Sequence, residues 1–526
     1  MPIELKADAQ QPGRPLAHFW STCVGAGRAN EGLRAAWQEQ LGTVVGACGF
    51  RYVRFHGLFH DDMFVYREEA GRAVYNFQYV NELFDRLLDA GIRPFVELGF
   101  CPGAMAREKE TVFWWKGHGS PPTDLAKWEE LVRRLVANCV DRYGIEEVRR
   151  WYFEVWNEPN LHPFFRGTRS EYFELYRASG RAVKSVDPQL RVGGPATSNF
   201  VPDARFDGET EDLSQHRVLL EADDLDALDW KPVWLADFLA FCRREGLPVD
   251  FVSTHPYPTD WALDAHGETV KSTRGAGATA RDLGLLRRMI DASAFPRAEI
   301  HLTEWSSSPS PRDHTHDYLQ AATFVVKANL ESIGLVDSLS YWTFTDVFEE
   351  GGAGDTAFHG GFGMINYQGI AKPAFHAYRF LNALGDELLH QGPAGVVTRD
   401  SKTRKLAALA YHYPPEVPQA APASFDARDV ADRTLAAGKP EALVIELTGL
   451  RPGASVIVET LDRDHGNALA TWRAMGEPEP LSREQAEALK RAAMATDQAA
   501  HRADAAGMFA LRHAITSWAV VLIREV

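Results

Sequence analysis

Two short stretches carry acids in positions where chemistry would need them. Asn157–Glu158–Pro159 closes the apolar run "WYFEVWNE" that begins at Trp151, and Glu304–Trp305 closes "EIHLTE", which begins at Glu299. Both runs have the texture of buried strands, so both glutamates are expected at strand ends. Two facing carboxylates are what hydrolysis of a glycosidic bond requires. One is protonated and donates to the leaving oxygen, and the other is ionised and attacks the anomeric carbon. Pro159 disfavours α geometry in the residue before it, which is expected to hold Glu158 at a rim in a fixed direction. The amide of Asn157 is placed to bond a sugar hydroxyl beside the reacting carbon. Taken singly, each glutamate is as well explained by an ion pair with an arginine. Only a fold that brings the two together favours chemistry. Glu154 lies on the same strand face as Glu158 by the period of two, but deeper. It reads as a buried supporting acid paired with an arginine, and Glu97 in "RPFVELGF" is a similar case.

The elements that must position these residues alternate. Strand-like runs begin at His18 ("HFWSTCVG"), Tyr52, Arg93, Trp151, Leu190, Asp250, Glu299 and Ser338. They lack clean polar–apolar alternation, as parallel strands buried on both faces do. Amphipathic segments such as "VNELFDRLLDAG" and "LAKWEELVRRLVANCVDRYG" lie between them, and "PAFHAYRFLNAL" is the eighth. This is the count of an α/β fold of the (β/α)8 TIM-barrel type, whose active site is built at the C-terminal ends of the strands. On that fold Glu158 ends the fourth strand and Glu304 the seventh, facing each other across one mouth. A doubly wound sheet is disfavoured because no Gly-rich phosphate turn follows the first strand. The expected domains are a barrel over 16–386 and an antiparallel β-sandwich over 387–526, carrying one helix in "SREQAEALKRAAMAT". Residues 1–15 are expected to precede the barrel and to add a strand to the sandwich. "PPEVPQAAPASFDARD" and "RGAGATARD" read as surface loops.

Composition narrows the partner. Lys and Arg number 56 against 72 Asp and Glu, a net charge of −16, which argues against nucleic acid and anionic membrane. A neutral ligand such as a sugar is compatible, and 14 Trp and 29 Phe supply flat apolar faces, most of them core. Five scattered cysteines without a CxxC pair suggest reduced, buried thiols. With neither an apolar leader nor a membrane-length run, the chain reads as soluble and cytoplasmic. His314 and His316 lack further ligands around them, so no metal is expected, and the serines of "WSSSPSP" lack a nucleophile-elbow context.

The motifs on these elements resemble a known family. "WNEP" after the fourth strand and "TEW" after the seventh look like the clan of retaining glycosidases built on barrels with catalytic glutamates at those two positions. "VGAGRANEGLR", "VRFHGLFHDDM", "FWWKGHGSPP", "YWTFTDVFEE" and "HGGFGMINYQGIAKPAFHAY" resemble glycoside hydrolase family 39, the family of β-xylosidases and α-L-iduronidases. "LDRDHGNALATWRAMGEPEPLS" is similar to that family's C-terminal sandwich, so the resemblance spans essentially the whole chain. It implies Glu158 as general acid/base, Glu304 as nucleophile, a retaining mechanism and no cofactor. His56, Asn157, His255, Tyr257 and Trp342 are then expected around the sugar. Tyr257 would bond the nucleophile, Trp342 would be the floor, and Arg54 would keep Glu304 ionised or form a structural ion pair. One or both of Glu349 and Glu350 would take distal hydroxyls, and Phe113 and Lys116 would wall the pocket. The activity expected is a β-D-xylosidase acting from the non-reducing end of small xylo-oligosaccharides. The alternatives are an α-L-iduronidase, which Lys116 keeps open, an α-L-arabinosidase, and a non-catalytic carbohydrate-binding barrel. Oligomeric state is not legible.

Overall fold

The computed structural model of the protein describes residues 2–201, 225–263, 269–415 and 428–526. Eight strands close into a barrel: β1 Cys23–Arg28, β2 Tyr52–His56, β3 Arg93–Leu98, β4 Tyr152–Val155, β5 Arg191–Ser198, β6 Phe251–His255, β7 Glu299–Trp305 and β8 Ser338–Tyr341. Neighbours in space are neighbours in sequence and every ladder is parallel. A long helix follows each strand: α1 Ala35–Cys48, α2 Gln78–Asp89, α3 Leu125–Tyr143, α4 Arg169–Val186, α5 Leu235–Glu245, α6 Ala278–Asp291, α7 Leu319–Glu331 and α8 Pro373–Asn382. Local chemistry sets their ends. Asp124 caps α3 by accepting from Ala126 and Lys127, and Thr168 with Glu171 forms a capping box on α4. Pro373 occupies the first turn of α8, where its missing N–H costs nothing.

The barrel interior divides into two layers. Toward the N-terminal ends of the strands, Cys23, Phe95, Tyr152 and Phe251 pack together, with Phe95 and Tyr152 stacked at 4.6 Å. This aromatic plug closes the bottom. Charged side chains fill the upper half, so a polar mouth sits above an apolar plug.

The first strand begins at Cys23 rather than His18. Phe19–Ser21 forms a 3-10 turn that tucks the fully buried Trp20 beneath the barrel. "RGAGATARD" is only partly a loop, because α6 already begins at Ala278. Most of "PPEVPQAAPASFDARD" lies outside the described residues. Two larger sheets stand beside the barrel, besides three two-stranded ones among the described residues. One has seven strands in the order Arg14–Pro15, Glu387–Gly392, Gly395–Arg399, Leu406–Tyr411, Val520–Glu525, Ser455–Leu461 and Asp497–Arg502. The other joins Ile3–Asp8, Glu441–Thr448 and Phe509–Ile515. Leu5, Leu443 and Ile445 of the small sheet pack on Val397, Ala408, Val456, Val521 and Ile523 of the large one. The pairing is not purely antiparallel, because Ile3–Asp8 runs parallel to Glu441–Thr448. Arg379 of α8 ties barrel to sheet by pairing with Glu459 at 2.6 Å. Among the described residues no helix is long and apolar enough to cross a membrane, and all five cysteines are free and buried.

Candidate active site

Strand β4 ends at Val155, and the chain then leaves extended geometry. Trp156 and Glu158 both take left-handed backbone angles, φ 71° and φ 44°. The period of two therefore stops short of Glu158, and the residue before Pro159 is left-handed rather than extended. Such residues cost about 1–3 kcal/mol each and persist where their surroundings over-determine them. Here the Glu158 N–H donates to Ala196 O at 2.9 Å, and Trp156 Nε1 donates to Phe164 O at 2.9 Å. Asn160 clamps the turn to β5 by a two-way amide bond with Ser198, at 3.0 and 2.8 Å.

Arg54, fully buried on β2, organises the mouth. Its Nε donates to Glu154 at 2.8 Å, Nη1 to Glu304 at 3.2 Å, and Nη2 to the Asn157 carbonyl oxygen at 2.8 Å and to Glu97 at 3.0 Å. The Asn157 NH₂ group is thereby turned away from Arg54. Glu304 also accepts from the Tyr257 hydroxyl at 2.8 Å. Glu158 contacts His255 Nδ1 at 2.9 Å, while His255 Nε2 contacts Thr303 Oγ1 at 2.9 Å. Both His255 nitrogens thus rest on protein partners. His56 Nδ1 meets Glu97 at 2.6 Å, and its Nε2 lies 3.3 Å from Glu350. Glu349 is engaged elsewhere, pairing with Arg28 at 2.8 Å and Arg34 at 2.6 Å, which leaves Glu350 as the loop acid facing the site.

Aromatic walls complete the cavity. Trp342 lies 4.7 Å from the His56 ring and under the Arg54 guanidinium, packed with Phe348 and Phe362. Gly25 of β1 admits it, since a Cβ there would stand 2.5 Å from Trp342 Cε3. Phe113 stacks parallel to His56 at 6.0 Å. Lys116 is exposed on the same loop, its backbone carbonyl accepting from His60.

The electrostatics separate the two acids. Burial opposes charge on His56, but Glu97 and Glu350 outweigh it and hold the imidazole protonated, up to about 10. Burial likewise opposes Arg54, and Glu154, Glu97 and Glu304 overcome it. Burial raises Glu304 to about 7 against the pull of His56 and Arg54. Burial first, and then the charge of Glu304, push Glu158 well above the usual carboxylate range. Of the pair, Glu304 therefore ionises first and Glu158 keeps its proton.

Thr303 and Ser198 do not stand out in the sequence. Thr303 precedes Glu304, and strict alternation sends neighbours to opposite faces. The register of β7 on β8 slips between Leu302 and Trp305, and both residues reach the interior. Oxygen or nitrogen atoms of Glu158, His255 and Glu304 lie within 4.8 Å of one another, a grouping of the kind that holds a metal ion. Arg54 and the cationic His56 already face Glu304, and Glu158 keeps its proton, which together disfavour a dication there.

The sequence profile of glycosyl hydrolases family 39 matches residues 3–509. The chain belongs to glycosyl hydrolase family 39. This family 39 glycoside hydrolase is 37% identical to a β-xylosidase of Geobacillus stearothermophilus, over 90% of this chain and 86% of that one. A solved family 39 enzyme of Xanthomonas axonopodis pv. citri superposes with a TM-score of 0.85 at 34% identity, covering 100% of this chain and 97% of the other. A monomeric β-xylosidase of Caulobacter crescentus CB15 gives 0.84 at 33% identity, with 99% of both chains covered.

Proposed function

We propose that this family 39 enzyme is a retaining β-D-xylosidase that removes xylose from the non-reducing end of small oligosaccharides. The observation that carries the mechanism is the closeness of the two acids, one oxygen of each lying within 4.8 Å of the other. Retaining enzymes hold their carboxyls about 5–5.5 Å apart, whereas inverting ones leave room for a water between them. Glu304 attacks the anomeric carbon while the Glu158 O–H gives its proton to the leaving oxygen, and a glycosyl ester forms on Glu304. Glu158, now a carboxylate, takes a proton from water. The water oxygen bonds the anomeric carbon and the ester breaks.

The remaining roles follow from the contacts. Arg54 and Tyr257 hold Glu304 as the carboxylate and aim it, and the Asn157 NH₂ offers a donor for the hydroxyl beside the reacting carbon. His56 and Glu350 form a paired donor and acceptor for distal hydroxyls, over the flat face of Trp342. An acidic Glu350 at that wall suits a sugar without a C5 carboxylate, as does the name of the 37%-identical relative. A panel of aryl glycosides tests the substrate, with the β-xyloside expected fastest; a faster iduronide refutes the choice of sugar. The roles are tested by variants. Glu158→Ala should hydrolyse p-nitrophenyl xyloside well below wild type. Azide should rescue Glu304→Gly and give an inverted glycosyl azide. Equal rates for Glu158→Ala and wild type refute the enzymatic reading.

A further inference from the structure

A chain of buried hydrogen bonds runs behind the acid. Glu154 Oε2 accepts from Arg54 Nε at 2.8 Å, and Glu154 Oε1 lies 2.7 Å from Thr303 Oγ1. Thr303 Oγ1 lies 2.9 Å from His255 Nε2, and His255 Nδ1 lies 2.9 Å from Glu158 Oε1. Every one of these residues is at least nine-tenths buried. With a neutral His255 ring, only one placement of protons satisfies all the contacts. A carboxylate paired with arginine can only accept, so the single hydroxyl proton of Thr303 points to Glu154. His255 Nε2 must then donate to Thr303. The ring is neutral, because burial, Arg54 and His56 all hold it below its ordinary range. Its Nδ1 is therefore bare, and the proton in the remaining contact sits on Glu158.

We propose that Thr303 and Glu154 are positioning residues that fix the tautomer of His255, so that its bare Nδ1 holds the acid proton on Glu158. This rests on Glu158 being the general acid. A hydrogen bond accepted from the neutral carboxyl favours that form, and a lone pair facing the carboxylate disfavours ionisation. The effect persists after Glu304 becomes an ester and its charge is gone. It thus helps Glu158 recover a proton from water in the second half of the reaction. His255 keeps its own proton on Nε2 throughout, so the cycle moves only the proton of Glu158. The other groups facing Glu158 are Glu304 on β7, Arg54 and His56 on β2, the Ser198 hydroxyl on β5 and the Tyr257 phenol. Those facing His255 are Arg54, His56 and Glu304.

The test is the upper limb of the pH profile of kcat/KM. Thr303→Val keeps the side-chain shape but takes the acceptor from Nε2. His255 then favours the tautomer that donates from Nδ1 to an ionised Glu158. The upper apparent pKa should fall by about one unit, and Thr303→Ser should restore it. A purely packing role would lower activity without moving the limb. An upper limb that is unmoved or raised in a folded Thr303→Val enzyme overturns the proposal. Neutron diffraction of the wild type needs no variant. Deuterons on His255 Nε2 and Glu158 Oε1 support the chain, and one on His255 Nδ1 overturns it. Glu158→Gln separates this from the mechanism: wild-type rates there sink the role of Glu158 itself, whatever Thr303 does.

Discussion

Tyr257→Phe deletes one bond to the proposed nucleophile and leaves the ring in place. The hydroxyl donates to Glu304 Oε1 at 2.8 Å, in a buried site where the acceptor must be ionised to react. Hydrogen bonds to charged groups contribute about 1.5–3 kcal/mol. At 1.36 kcal/mol per unit this corresponds to a rise of roughly one to two pH units in the Glu304 pKa. The sign follows from which form is held. Tyr257 favours the carboxylate, which lowers the pKa that burial has raised, so its loss lets the pKa climb. The acidic limb of kcat/KM should then move to higher pH by that amount. Well below the limb, the variant should be about 10- to 100-fold slower than wild type. Above it, the gap should shrink to whatever Tyr257 contributes in the transition state. The assay is initial-rate hydrolysis of an aryl β-xyloside across the pH range, stopped in alkali so that the chromophore reads equally at every pH. A uniform fall in rate with the acidic limb unmoved, or a limb that moves to lower pH, would refute the assignment of Tyr257 to Glu304.

Other expected outcomes concern the floor and the frame. Gly25→Ala places a Cβ 2.5 Å from Trp342 Cε3 and 3.1 Å from Tyr341 O. The overpacking should cost about 1–3 kcal/mol, lowering Tm and raising KM; an unchanged KM would remove Trp342 from the sugar's floor. Arg379→Ala leaves the buried Glu459 with Thr496 and the more distant Arg524. It should cost about 1–3 kcal/mol at neutral pH, read as a lower Tm. Burial opposes the Glu459 charge, but Arg379 and Thr496 keep its pKa below the usual range. That stabilisation is complete above the unfolded carboxyl's pKa and fades as pH falls through the folded one. The Tm gap between variant and wild type should therefore close in acid; a gap that stays constant down through that range would remove the ion pair from the account.

The eight barrel strands are legible because burial on both faces favours β-rich runs without clean alternation, and "WYFEVWNE" is such a run. The acids Glu158 and Glu304, with Arg54 and Tyr257, are legible because a closed barrel collects its strand ends at one mouth. Alternation supports only what the ladder keeps regular. It stops at Val155, where the backbone turns left-handed, and it fails at Thr303, where the register slips. The role of His255 was hidden for another reason: sequence does not say which ring nitrogen meets which neighbour. Asp497–Arg502 escaped because it is a largely exposed edge strand without an apolar stripe, and edge strands tolerate polar residues on both faces.

The placement of Ile3–Asp8 has a consequence for how the molecule is made. It emerges from the ribosome before the barrel, yet the strand it lies against, Glu441–Thr448, is translated only after the barrel-forming sequence is complete. A growing chain can close its barrel domain by domain while this segment waits with its ladder groups open. Arg14–Pro15 faces a shorter delay, pairing with Glu387–Gly392 as soon as the eighth helix has been made. A strand made before the barrel is among the last to find its neighbours.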